Sequence, residues 1–256
     1  MDGIRNMKLI WEVNDQDVQK ILSFMEKYKN DPMVINRIER NVNGIGIDLS
    51  KSTVWFSLVS CLLTTQQRSG PESNAVRFIN TKPFPLNYEL CISESNLDEF
   101  SKKVIRDFGG LRFHNRLSEQ IETNFSLLEG GLWNETLSLL EVTWQSNKAS
   151  QERVAANFID DHFKGFGPKQ ARNLLQSLGC TKYEIPVDSR ITKWLNKFGF
   201  PVRLTAATLA DQNYYHFVSD GIQALCKECG IYPCVLDAAI FVSYDQGGWT
   251  EENLVW

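Results

Sequence analysis

The chain has 256 residues, 43% hydrophobic and 23% charged. This is the composition of a globular protein long enough for one large domain or two small ones with a substantial core. No apolar run approaches the roughly 20 residues that span a membrane, and the opening MDGIRNMKLIWEV lacks a secretory pattern. A cytoplasmic location is therefore expected (nucleoid-associated in a prokaryote), with the six cysteines as free thiols. The net charge is −4, which excludes a uniformly basic protein, yet between Lys164 and Arg203 eight basic residues face two acidic ones. A local basic face on an acidic body suits phosphate contact, although the same charges could simply be scattered on solvent faces.

In chain order the pattern is overwhelmingly helical. A short strand is predicted at Lys8 to Val13, then a helix from Asp15 to Tyr28 with Val18, Ile21, Leu22 and Met25 on its apolar side. Asp31 to Ser50, with Gly44 and Gly46, reads as irregular. Ser52 to Thr64 is apolar enough for a buried helix, and residues 70 to 80 begin another with Pro71 near its first turn. Residues 81 to 95 read as a loop. Helices follow at Asn96–Phe108, Arg112–Leu128 and Asn134–Trp144, and later at Ala206–Cys229 and Tyr232–Tyr244. No repeat is visible.

The most informative stretch is FKGFGPKQARNLLQSLGCTKYEIPVDSR, residues 163 to 190. An amphipathic helix from Gln151 to Phe163 is broken by Gly165 and Gly167, which flank Phe166 and leave backbone N–H groups uncovered. Pro168 fits the first position of a second helix that Gly179 ends. Hairpin amides beside a helix N-terminus form an anion site that needs no base contact. Such a turn alone is common and a weak signal. Lys169 lies in the first turn of the second helix, where the dipole disfavours a cation. Burial there would lower its pKa and free its lone pair for attack, whereas a solvated surface lysine would do nothing. Asp188, 19 residues on, reads as the N-cap of a helix closed by Gly199. Capping and catalysis are compatible, because the cap holds the carboxylate rigidly.

Hairpin, lysine and aspartate at this spacing resemble the helix-hairpin-helix, Gly/Pro-Asp (HhH-GPD) superfamily of DNA glycosylases. The resemblance rests on KGFGPKQA, the lysine position and IPVDSR. It implies a bifunctional DNA glycosylase/AP lyase of base excision repair. Lys169 would attack C1′ of the damaged nucleotide and form a Schiff base, Asp188 would assist it, and β-elimination would cut the strand. It also implies DNA contact by Gly165, Phe166 and Gly167. The polar segment after the Ser52–Thr64 helix would fill the gap left by a flipped nucleotide, with Gln66 as the filler and Gln67 and Arg68 beside it. A polar helix terminus explains that segment nearly as well.

GIYPCVLDAAIFVSYD, near the C-terminus, resembles a segment of the 8-oxoguanine DNA glycosylases. The resemblance places Asp237 and Phe241 in the base pocket, one helical turn apart on one face. A carboxylate can accept from guanine N1–H and the exocyclic amino group, and a ring can stack. The family amide is a carboxylate here, and Phe241 could instead be core. Asn173, one turn after Lys169, is a further pocket candidate. About fifty residues precede the first buried helix, too few for the N-terminal β-domain of the eukaryotic enzymes.

Some relatives, such as endonuclease III, hold an iron–sulfur cluster on four cysteines. Cys226, Cys229 and Cys234 form C-x2-C-x4-C without a fourth, so no cluster, metal or other cofactor is expected. His114, His162 and His216 show no ligand spacing. The expected fold is all-α and two-lobed, with at most a short N-terminal strand. A central helical bundle would span residues 51–187, and residues 1–50 plus 188–256 would form the second lobe. The expected partner is double-stranded DNA containing a damaged base, foremost 8-oxoguanine, bound by a monomer with no membrane. The same chemistry on oxidised pyrimidines, or a non-catalytic DNA-binding module, are the alternatives.

Overall fold

The computed structural model describes residues 11–68, 70–245 and 250. Among the described residues the secondary structure is entirely helical, and no helix is long and apolar enough to cross a membrane. The first helix, α1 (Asp15–Tyr28), opens on a capping box in which Asn14 and Asp17 bond each other's backbone. Residues 11–13, the described part of the expected strand, have no regular structure, and residues 8–10 lie outside the described residues.

Two segments read as irregular are helical. Asp31 caps α2 (Pro32–Arg37), its Oδ1 accepting from Met33 N at 2.9 Å, and Pro32 occupies the first turn. A π-helical turn at Ile38–Val42 continues it, so the irregular stretch shrinks to the residues around Gly44 and Gly46. In the expected loop, Asn87 caps α5 (Tyr88–Ser93) through a 2.9 Å bond from Leu90 N. Both helices are only six residues long, too short for a periodic apolar signal, so the caps define them. Before α5 come α3 (Lys51–Leu63) and α4 (Asn74–Ile79). Ser73 rather than the Pro71 region starts α4.

The chain then runs through α6 (Leu97–Phe108), α7 (His114–Leu127), α8 (Trp133–Gln145), α9 (Ala149–His162) and α10 (Pro168–Ser177). A strap without regular secondary structure leads to α11 (Ser189–Phe198). A 3-10 turn at Thr208–Ala210 precedes α12 (Gln212–Glu228), which Asp211 caps, so this helix starts later than the sequence suggests. Last comes α13 (Pro233–Asp245).

Helix α3 is buried at nine of its thirteen positions and packs against α5, α7 and α10. Trp55, Leu58 and Leu62 are fully enclosed, each contributing about 1.5–3 kcal/mol from burial. Helix α13 packs against α1, α2, α11 and α12, so helices from early and late in the chain meet. A cleft of about 850 Å³ opens where α10 and the segment after α3 face α2, the strap and α13.

Candidate active site

The turn between α9 and α10 is built around Gly165, whose φ is +88°. The positive φ favours glycine there, and a Cβ would also lie 2.6 Å from the end of the Gln120 side chain, which would have to move aside. Asn124 pins the turn from α7: its Oδ1 accepts from Lys164 N at 2.7 Å and its Nδ2 donates to Lys164 O at 2.9 Å. Phe166 points inward against Phe163, so its side chain is core and only its backbone can serve a ligand. Gly167 is extended and no side chain caps α10, which leaves its first N–H groups to solvent or an anion. The cleft wall does not include Gly165, Phe166 or Gly167; the hairpin lies beside it.

The cleft gathers the remaining predicted residues from four separate segments: Gln66, Gln67 and Arg68 after α3, Lys169 and Asn173 on α10, Asp188 at the start of α11, and Asp237 and Phe241 on α13. Lys169 is half-buried, and its Nζ donates to Gln170 Oε1 at 2.8 Å. Burial holds its pKa below the usual lysine value. Asp188, Cys61 and Asp237 oppose that effect, and Arg190 reinforces it. Gln170 is itself fixed, its Nε2 donating to Cys61 O and Thr65 Oγ1. Asn173 Nδ2 points to Cys61 Sγ at 3.5 Å.

Asp188 caps α11, with Oδ1 accepting from Arg190 N at 2.7 Å and Ile191 N at 3.0 Å. Its Oδ2 accepts from Arg190 Nη1 at 3.0 Å. Arg190 also stacks over Phe241, so one face of the ring already carries a guanidinium.

Asp237 is 7% exposed, and its Oδ2 accepts from Gln176 Nε2 at 2.7 Å and from Arg37 Nη1 at 3.4 Å. Burial pushes its pKa up to about 6, with Asp188 adding to the rise while Arg37, Gln176 and Lys169 oppose it. One of its oxygens is thus already engaged within the protein. Gln176 Oε1, in contrast, is a buried acceptor on the cleft wall with no hydrogen-bond partner.

Arg37 and Gln176 escaped the sequence reading. Each is a polar residue enclosed on a helix face that otherwise packs, and an interruption of the apolar pattern was the available signal. Phe113 was missed too. It adopts a left-handed conformation at φ +62° and remains 36% exposed. The guanidinium carbons of Arg112 and Arg116 lie 4.7 and 4.3 Å from its ring centre. Its neighbours tie it to the cleft rim: Arg112 N donates to Gln67 Oε1 at 2.8 Å and Arg116 Nη1 to Gln66 Oε1 at 3.2 Å. Gln66 has a positive φ of its own, 55°. An exposed aromatic between two arginines, after Gly109 and Gly110, was the legible clue.

The chain matches no protein-family model and no curated protein sequence. Among solved structures it is similar to the 8-oxoguanine DNA glycosylase of Methanocaldococcus jannaschii, with a TM-score of 0.61 and 18% identity over 90% of this chain and 94% of that one. The same glycosylase/lyase in complex with a 15mer DNA containing 8-oxoguanine gives a TM-score of 0.62 and 18% identity, covering 90% of this chain and all of that one (100%). The 8-oxoguanine DNA glycosylase of Thermotoga maritima gives 0.62 and 17%, covering 91% and 98%. Over nearly its whole length, then, this chain has the fold of the 8-oxoguanine DNA glycosylases.

Proposed function

We propose that the protein is a bifunctional DNA glycosylase/AP lyase of base excision repair that removes 8-oxoguanine, acting as a monomer on double-stranded DNA. The observation that carries this reading is Lys169, a lysine with a depressed pKa on the floor of a cleft that Asp188 also lines, in a glycosylase fold. A neutral amine is the nucleophile this chemistry needs. The Lys169 amine forms a bond to C1′ as the bond from C1′ to the base breaks and the electron pair leaves with the base. Loss of one amine proton and opening of the sugar ring, whose oxygen takes up a proton, leave a protonated imine. Removal of a proton from C2′ then expels the 3′ phosphate and cuts the strand. The Asp188 carboxylate stabilises the positive charge that develops on the sugar.

The hairpin amides at Gly165–Gly167 hold a backbone phosphate. Gln66, Gln67 and Arg68 fill the gap in the duplex, supported by Phe113 with its two arginines. Asp237, Gln176 and Arg37 form a polar wall of acceptors and a donor that suits the edge of guanine, with Phe241 and Asn173 beside it. Residues 51–187 form one lobe and the two ends of the chain the other.

Borohydride trapping tests the proposal on duplexes carrying 8-oxoguanine opposite each base, thymine glycol, uracil or a bare abasic site. The expected result is a covalent adduct on 8-oxoguanine that Lys169→Gln abolishes while DNA binding is retained. An adduct on thymine glycol instead would move the substrate to oxidised pyrimidines. Binding without any adduct or base release would leave a DNA-binding module.

A further inference from the structure

The strap that delivers Asp188 has little internal structure. Residues 184–187 have no regular secondary structure between α10 and α11, Pro186 has no N–H to give, and Asp188 N bonds Pro186 O at 3.0 Å. Other helices hold the strap by their side chains. Glu152, on α9, accepts from Glu184 N at 2.8 Å. Tyr215, on α12, makes two bonds: its hydroxyl accepts from Val187 N at 2.6 Å and donates to Ile185 O at 2.8 Å. Tyr215, Val187 and Ile185 are all buried. Burial pushes the phenol well above its ordinary pKa, so it stays protonated and serves as donor and acceptor at once.

The same tyrosine meets the helix that carries Lys169. Arg172 lies three residues further along α10, and its guanidinium carbon sits 4.4 Å over the Tyr215 ring. Arg172 Nε donates to Glu184 Oε2 at 2.6 Å, and Nη1 returns to Pro168 O at 2.9 Å. Glu184 Oε1 in turn accepts from Arg153, Ser219 and Gln223. One buried polar assembly thus reaches from the residue before Lys169 to the residue before Asp188.

We infer that Tyr215 is a positioning residue for base excision: its hydroxyl, acting through the Ile185 and Val187 backbone, sets the place of the Asp188 carboxylate relative to Lys169. The inference rests on the roles proposed above for those two residues. Packing alone does not call for the hydroxyl, since phenylalanine would fill the same volume beneath Arg172. Without it, Val187 N–H and Ile185 C=O are buried and unpaired, and the strap must shift to find partners. A misplacement of about 1 Å at a reacting centre costs on the order of a hundredfold in rate.

A double-mutant cycle on single-turnover release of 8-oxoguanine tests this, with affinity measured on a duplex holding a stable tetrahydrofuran abasic analogue. Tyr215→Phe is expected to slow excision about tenfold or more with affinity unchanged. In an Asp188→Asn background the same substitution should have no further effect, because its action passes through Asp188. Effects that multiply in the double variant, or a folded Tyr215→Phe with the wild-type rate, overturn the inference. Replacing Val187 by its α-hydroxy acid analogue deletes only the N–H and carries the same expectation, so the inference stays testable if Tyr215→Phe does not fold. A normal excision rate in Asp188→Asn alone would overturn the role of Asp188, and this inference with it.

Discussion

The guanidinium of Arg190 stands 4.1 Å over the ring of Phe241 while its Nη1 holds Asp188 Oδ2 at 3.0 Å. One side chain therefore bridges the capping carboxylate of α11 and the aromatic ring of α13. It also adds a positive charge near Lys169, which helps to depress that lysine's pKa after burial has done most of the lowering. Arg190→Ala should raise the Lys169 pKa, because a like charge is removed. The limb of the excision pH–rate profile on which Lys169 loses its proton should move to higher pH, and the rate at neutral pH should fall. A single-turnover profile of both proteins measures this, and an unmoved limb would show that Arg190 has no hold on the nucleophile.

Asp237 titrates at about 6, raised from 3.8 chiefly by burial. If its carboxylate accepts from the guanine edge, excision of 8-oxoguanine should rise as pH increases through about 6. Asp237→Asn should lack that step while leaving a pre-formed abasic site cleaved at the wild-type rate. Stability runs the other way. The folded state binds this proton more tightly than the unfolded chain, so the contribution is greatest below pH 3.8 and is lost as pH rises through about 6. The total is on the order of 2–3 kcal/mol. Urea denaturation at pH 5 and pH 7.5 should show wild type losing stability relative to Asp237→Asn as the pH is raised.

Gly165→Ala tests the hairpin. The positive φ should cost about 1–3 kcal/mol, with the end of the Gln120 side chain moving aside for the Cβ. Affinity for duplex DNA should weaken to a similar degree for lesion and undamaged sequences, since a phosphate contact carries no base information. Thermal melting and fluorescence anisotropy read the two effects. Selective loss on the lesion duplex alone would move the hairpin from backbone contact to base recognition.

Phe113 offers a separation of stability from function. A non-glycine residue in the left-handed region is strained by roughly 1–2 kcal/mol, and relief of that strain offsets part of the burial lost when the ring, 36% exposed, is removed. Phe113→Gly should therefore lower Tm only modestly. Excision from duplex DNA should nonetheless slow about tenfold, through weaker support of the opened stack. Equal rates on duplex and single-stranded substrates in both proteins would remove Phe113 from the DNA face.

The parts of the site that were legible beforehand are those written locally. Gly165, Pro168, Lys169 and Asp188 declare a turn, a helix start and a cap within 25 residues, and the structure places each as the local rules require. The parts that were not legible depend on distant contact. Nothing near Arg37 says that it will face Asp237, 200 residues away. That the Phe166 ring turns inward against Phe163 was likewise unmarked by its neighbours in the hairpin. The helices at Pro32 and Tyr88 are only six residues long, and their caps, Asp31 and Asn87, were visible but unsupported by periodicity.

The Arg37–Asp237 pair carries a further consequence, for the order in which the protein loses its abilities. Lys169 and Asp188 sit 19 residues apart and are tied by buried groups between them, so they form a local unit. The opposing wall exists only while α2 and α13 close a loop spanning most of the chain, and long closures carry the greater entropic cost. Partial opening of α2 would therefore, under the proposed function, weaken lesion selection while the amine and carboxylate were still in place. Under the proposed function, discrimination rather than chemistry is then the fragile property of this architecture.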